Sequence, residues 1–146
     1  MRKVEWISQR CDPATLVAYQ VMEDQVITCK LDDRVLTVGH KMYDGNIGSV
    51  PVVDGEDSLV GIVTEFDLLQ AIERGNDLRA LPVSSIMTTE VVSVTAHTPF
   101  MDIVRVLQRH HLVRVPVVRE QTLIGILARR DVILGYIKAT DVGSGG

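Results

Sequence analysis

Two short apolar runs flanking an acidic turn set the pattern of this chain. Val50-Pro51-Val52-Val53 and Leu59-Val60-Gly61-Ile62-Val63 are rich in β-branched residues, which predicts strands rather than helices. Asp54-Gly55 between them predicts a hairpin turn. The second run passes into Thr64-Glu65-Phe66-Asp67 and the apolar-periodic stretch 68–72, where a helix is predicted. Near the C-terminus the order returns: Val115-Pro116-Val117-Val118, a turn, Leu123-Ile124-Gly125-Ile126-Leu127, Ala128-Arg129-Arg130-Asp131, and another apolar helix. The chain is a tandem repeat.

The repeat extends upstream in register. Val26-Ile27-Thr28 falls on Val91-Val92-Ser93, a spacing of 65, and both are predicted strands. Asp33 falls on Thr98, each where a helix N-cap is wanted, and Pro99 follows as a first helical residue. Val35, Val38 and Met42 then share one helix face; Phe100, Ile103, Val104 and Leu107 share the face of its counterpart. Beyond the hairpin turn the spacing is 64, so Gly61 meets Gly125 and Asp67 meets Asp131. Each unit reads β-α-β-β-α. Residues 1–11 are predicted as an arm or short helix, 12–76 as the first repeat, 77–139 as the second and 140–146 as a flexible tail. Asp12-Pro13 predicts the start of a helix carrying Leu16, Val17 and Tyr19 to Val21-Met22, and Gly75 a helix C-cap.

Composition narrows the class. With 146 residues the chain can bury roughly 70% of its unfolded surface. Apolar residues make up 46% but aromatics only 4%, so Val, Ile, Leu and Met must fill the core. No apolar run nears the ~20 residues of a membrane span, and no signal-type block is present; no membrane association is expected. Cys11 and Cys29 are too few for a disulfide framework or zinc site, which points to a cytoplasmic setting. A net charge of −4 and scarce aromatics weigh against nucleic acid. There is no Gly-rich phosphate loop with Lys-Ser/Thr, no nucleophile elbow and no His-Glu metal motif. Glu65 and Asp67, two apart on a helix, diverge and cannot act as an acid-base pair. His110-His111 point to different faces, and His40 and His97 have no neighbours at metal spacing. The expectation is a binding protein, not an enzyme, with neither metal nor catalytic cofactor.

The β-α-β-β-α order, the strand Gly48-Ser49-Val50-Pro51-Val52-Val53, the second strand with its central glycine and the Thr-x-x-Asp that follows resemble the cystathionine β-synthase (CBS) domain. The resemblance covers about residues 12–139. It implies an α+β fold: a tandem, pseudo-two-fold pair of CBS units (a Bateman module), each a small mixed sheet packed by helices. It further implies a stand-alone regulatory module that binds AMP, ADP or ATP in a cleft between the repeats. Such a module would form a homodimer and signal to a partner protein through conformational or oligomeric change. S-adenosylmethionine is the alternative ligand, and a dimerisation module with vestigial clefts the alternative role.

Within that frame, Asp67 is expected to accept the two ribose hydroxyls and Thr64 to meet phosphate oxygens at the helix start. The same Thr-x-x-Asp also reads as a capping box, and the two roles are compatible. The second copy retains Asp131 but has Ala128 in place of the hydroxyl, with Arg114, Arg129 and Arg130 nearby. Arg114 in Arg-x-Pro is similar in placement to the phosphate-binding arginine of AMP-activated kinase γ subunits, and Arg130 is a second candidate. Main-chain edges of Val26, Ile27, Thr28, Ser49, Val50, Pro51 and Val52, and of Val91, Val92, Ser93, Val115 and Pro116, are candidates for reading the base. Val and Ile there are also core residues by default. The two clefts are expected to differ in affinity, with the filled one around Thr64 and Asp67.

Overall fold

A computed structural model describes residues 2–141. In chain order its elements are α1 (Ala18–Val21), β1 (Cys29–Lys30), α2 (Val35–Gly45), β2 (Ser49–Val53), β3 (Leu59–Thr64), α3 (Glu65–Glu73), β4 (Val94–Thr95), α4 (Phe100–Arg109), β5 (Arg114–Arg119), β6 (Thr122–Ala128) and α5 (Arg129–Asp141). Single 3-10 turns occupy Lys3–Trp6, Pro13–Thr15 and Val83–Ser85. The strands form two three-stranded mixed sheets, β1-β2-β3 and β4-β5-β6, so the β-α-β-β-α order is present twice.

The repeat is visible in the register. Cys29 lies opposite Val52 in a parallel pair, and Val94 opposite Val117. Ser49 lies opposite Thr64 in the antiparallel hairpin, and Arg114 opposite Ala128. Each hairpin carries an irregularity, at Val52/Val53 and at Val117/Val118. In the first turn Asp54 Oδ1 accepts the amides of Glu56 and Ser58, the local bonding that lets aspartate close a turn.

Contacts divide the chain into two compact units, Ile27–Val91 and Met1–Val26 with Val92–Gly146. The repeat divides the sequence near 76/77; the contacts instead place residues 81–88 with β1-α2-β2-β3-α3, and 16–23 with β4-α4-β5-β6-α5. In the first unit the Val35 amide donates to Leu81 O, and Ile62 and Thr88 exchange both backbone bonds. In the second, Phe100 donates to Leu16 O, and Glu23 and Ile126 exchange both. These are the same bonds one repeat apart. Each unit has its own core. Val38, Met42, Val50, Val52, Val63 and Val83 fill the first. Val21, Met22, Phe100, Ile103, Val115, Val117 and Leu127 fill the second. Fully burying each such side chain contributes about 1.5–3 kcal/mol.

Three local expectations are corrected. The helix expected from Asp12-Pro13 is broken into the Pro13–Thr15 turn and α1, because Leu16 and Val17 are extended and the Leu16 carbonyl bonds Phe100 instead of continuing a helix. Val26-Ile27-Thr28 and Val91-Val92-Ser93 precede the strands rather than form them; Thr28 O takes the Lys41 ammonium at 2.6 Å rather than a strand neighbour. Asp33 and Thr98 do not cap α2 and α4. Their side chains accept backwards, from the amides of Lys30 and Thr95, closing the strand-to-helix turn, and Arg34 and Pro99 stand at the N-cap positions. Gly75 lies just past α3 with φ +77°, a conformation glycine adopts without strain. The expected tail falls, from residue 142 on, outside the described residues.

Candidate ligand site

At the N-terminus of α3, β3 delivers Thr64 directly into the first helical turn. Thr64 Oγ1 accepts the Asp67 amide at 3.4 Å, and Asp67 Oδ2 accepts the Thr64 amide at 2.8 Å and its hydroxyl at 3.1 Å. The capping box is therefore formed, and it uses one carboxylate oxygen of Asp67. The other, Oδ1, takes no hydrogen bond among the described residues. Ser49, paired to Thr64 across the hairpin, joins the same edge.

At the start of α5 the backbone repeats this geometry without the hydroxyl. Asp131 Oδ2 accepts the Ala128 amide at 2.9 Å. Its Oδ1 is buried without a hydrogen bond, and the residue is only 2% exposed. The cation facing that oxygen is Arg2, whose Nη2 lies 3.4 Å away. Burial pushes the Asp131 carboxyl above the ordinary carboxylate range; Glu23 adds to this, while the Ala128 amide, Arg2 and Arg114 oppose it. Burial likewise lowers the pKa of Arg114, with Asp131 opposing and Arg2 assisting. Arg2, Arg114 and Asp131 thus form one mutually coupled group.

The remaining candidates divide clearly. Arg114 is half-buried beside Asp131, whereas Arg129 and Arg130 are exposed on the first turn of α5. Val50, Pro51, Val52, Val115 and Pro116 are buried, and the three valines belong to the two cores, so only their main chain could serve a ligand. Ile27 and Ser93 are exposed; Val26, Thr28, Val91 and Val92 are partly so. Position for position the two sites differ in charge: Ser49, Thr64, Glu65 and Phe66 in one stand where Arg114, Ala128, Arg129 and Arg130 stand in the other.

Sequence reasoning missed Arg2. It lies outside the repeat, and no spacing rule joins it to Asp131. The arm that carries it is fixed by a β-bridge between Arg2 and Glu23, by Lys3 N–H donating to Met22 O, and by Lys138 donating to Glu5 O. The fully buried Val4 anchors it in the core. A cavity of about 680 Å³ under the arm, lined by Trp6, Cys11 and Tyr19 among others, does not include Asp131. Among the described residues no three His, Cys, Asp or Glu side chains group as a metal site, and no helix is long and apolar enough to cross a membrane.

The CBS domain profile matches residues 17–74 and 83–138, and the chain belongs to the CBS domain family as a tandem pair. It is 30% identical over 124 residues to the CBS domain-containing protein YhcV of Bacillus subtilis, covering 84% of this chain and 87% of that one. A Vibrio cholerae protein assigned to acetoin utilization, AcuB, superposes with a TM-score of 0.81 at 26% identity, over 90% of this chain and 97% of that chain. CBSX2, solved in complex with AMP, gives a TM-score of 0.70 at 26% identity, over 80% and 92%. Some relatives are much longer: the chain spans 30% of one to which it is 33% identical over 127 residues.

Proposed function

We propose that the chain is a regulatory module that binds an adenine nucleotide at the start of α3, of α5, or of both, and passes occupancy to a partner protein. The observation carrying this reading is the pair Asp67 and Asp131. Each sits at the third position of an equivalent helix, spends one carboxylate oxygen on the helix start, and leaves the other without a hydrogen bond. A carboxylate so placed suits a vicinal diol, and the amides of the helix start suit phosphate. The AMP complex of the related CBSX2 supports adenosine as the class. The Thr64 hydroxyl and the Asp67 carboxylate are committed to the capping box, and occupancy acts by preferring one state of the molecule or of its assembly. A thermal-shift panel of AMP, ADP, ATP and S-adenosylmethionine tests this. At a hundredfold excess over the dissociation constant, linkage gives about 2.7 kcal/mol, a shift of several degrees. No shift with any of the four at millimolar concentration contradicts the proposal.

A specific observation favours an assembly role beside it. Phe66, Leu69 and Ile72 on α3, and Ile133, Tyr136 and Ile137 on α5, are all at least 49% exposed. Leu69 and Ile133 are repeat equivalents, as are Ile72 and Tyr136. Large apolar side chains repeated on two helices fit burial against a second copy of the chain. A homodimer in a cytoplasmic setting, consistent with two free thiols, is our reading. Sedimentation of Leu69→Asp and Ile133→Asp variants tests it: each should shift the chain toward monomer, and an unchanged dimer or a monomeric wild type contradicts it.

A further inference from the structure

The Asp131 site contains a residue that the repeat does not supply. We infer that Arg2, on the N-terminal arm, is a ligand-binding residue of this site, which takes a phosphorylated nucleoside, and that its guanidinium passes from Asp131 to the phosphate when the nucleoside binds. The inference rests on the adenosine reading above and assigns one of its two sites a ligand charge and a further residue.

The geometry carries it. Asp131 is 2% exposed, its Oδ1 lacks a hydrogen bond, and it opens a 13-residue helix whose Arg129 amide already donates to Val113 O, which leaves the amides of Arg130 and Asp131 to an anion. At the equivalent place in the first repeat, Asp67 has the Thr64 hydroxyl as a side-chain partner and no arm. Ala128 removes that hydroxyl, which bonds Oδ2 in the first repeat; the side-chain partner of Asp131 is Arg2, on the other oxygen, Oδ1. A separation of 3.4 Å is a loose ion pair rather than a good charge-assisted hydrogen bond, so Asp131 is held but not satisfied. A ribose hydroxyl can donate to Oδ1 at close range, which arginine does not do here. Once the diol occupies that oxygen, Arg2 gives up its contact with it, while the half-buried Arg114 remains in the same charge group. A phosphate offers the Arg2 guanidinium a new partner, and planar guanidinium groups match its oxygens. A neutral nucleoside takes the oxygen from Arg2, offers no anion in return and binds less well.

The arm also carries the reporter. Trp6 is the sole tryptophan, lies four residues from Arg2 and is 71% exposed, so movement of Arg2 reaches its environment. The experiment titrates AMP and adenosine into Asp67→Asn, which leaves the Asp131 site as the one with an intact carboxylate, and into the same protein carrying Arg2→Gln or Arg2→Lys. With Arg2 present, AMP should bind at least about tenfold tighter than adenosine and change Trp6 emission. Arg2→Gln should cost AMP about tenfold, leave adenosine within about twofold, and abolish the emission change; Arg2→Lys should recover part of the AMP affinity. Equal losses for AMP and adenosine, or no loss for either, overturn the inference. So does an Asp67→Asn protein that no longer binds AMP while the wild type does; that result spares the adenosine reading. A wild type that binds neither overturns both.

Discussion

Asp131 Oδ2 accepts the backbone amide of Ala128 at 2.9 Å while its Oδ1, on the same buried carboxylate, has no hydrogen bond. The charge is held in a poorly solvating place, and burial raises its pKa above the ordinary 3.8. An acid that binds its proton more tightly folded than unfolded lowers stability as pH rises between the two pKa values. Asp131→Asn keeps an acceptor for the Ala128 amide and removes that charge. Thermal unfolding should show the ligand-free variant as stable as the wild type at pH 7, or more so, with a smaller change between pH 4 and 7. Nucleotide affinity at this site should fall about ten- to hundredfold. A large loss of stability at pH 7 would show that the carboxylate is structural.

Thr64 is the cap that Ala128 is not. Thr64→Ala gives the first repeat the helix start of the second and leaves the Asp67 amide without its side-chain acceptor. Loss of such a cap costs about 1 kcal/mol, visible as a fall of several degrees in the unfolding midpoint. Ala128→Thr should recover a comparable increment in the second unit if the hydroxyl finds the Asp131 amide. No change in either variant contradicts the capping geometry.

Gly125 and Gly61 are the contact points for Met22–Glu23 and Met87–Thr88, the segments ahead of β1 and β4. A Cβ on Gly125 would collide with Met22 Sδ and approach Glu23 O at 3.0 Å; one on Gly61 would meet Met87 Sδ at 2.6 Å and Thr88 O at 3.1 Å. The methionine tips can move, but the carbonyls belong to backbone pairs with Ile126 and Ile62. Each Gly→Ala change should destabilise by about 1–3 kcal/mol in urea unfolding, with amide exchange rising first at Glu23 or at Thr88. Wild-type exchange at those amides would contradict this packing.

The two thiols should react differently. Cys29 is buried in the first core, which pushes its pKa up to about 11, while Cys11 is partly exposed. At pH 8 a disulfide reagent should label one thiol quickly and the second only in denaturant. Two thiols labelled at one rate in native buffer would contradict the assigned burial.

Much of this was legible in the chain. β-branched runs, hairpin turns and the spacing of 65 then 64 report backbone periodicity, so strand order, helix faces and the equivalence of Asp67 with Asp131 could all be read directly. The misses lie where a backbone group is satisfied by a distant partner. Thr28 O takes Lys41, Leu16 O takes Phe100, and Asp33 and Thr98 turn back to the strand end. Local propensity favours a strand, a helix and two caps at those places, and tertiary hydrogen bonds override it. Arg2 was the hardest to foresee: its place beside Asp131 follows from where the arm docks, and nothing in its neighbours signals that.

The nucleotide reading is tested most directly by calorimetric titration of AMP into the wild type, Asp67→Asn, Asp131→Asn and the double variant, all confirmed folded. The account predicts saturable binding to the wild type, weakening by about ten- to hundredfold in at least one single variant, and no measurable binding to the double variant. A double variant that binds AMP as tightly as the wild type would contradict it, because the ligand would then rest on neither carboxylate.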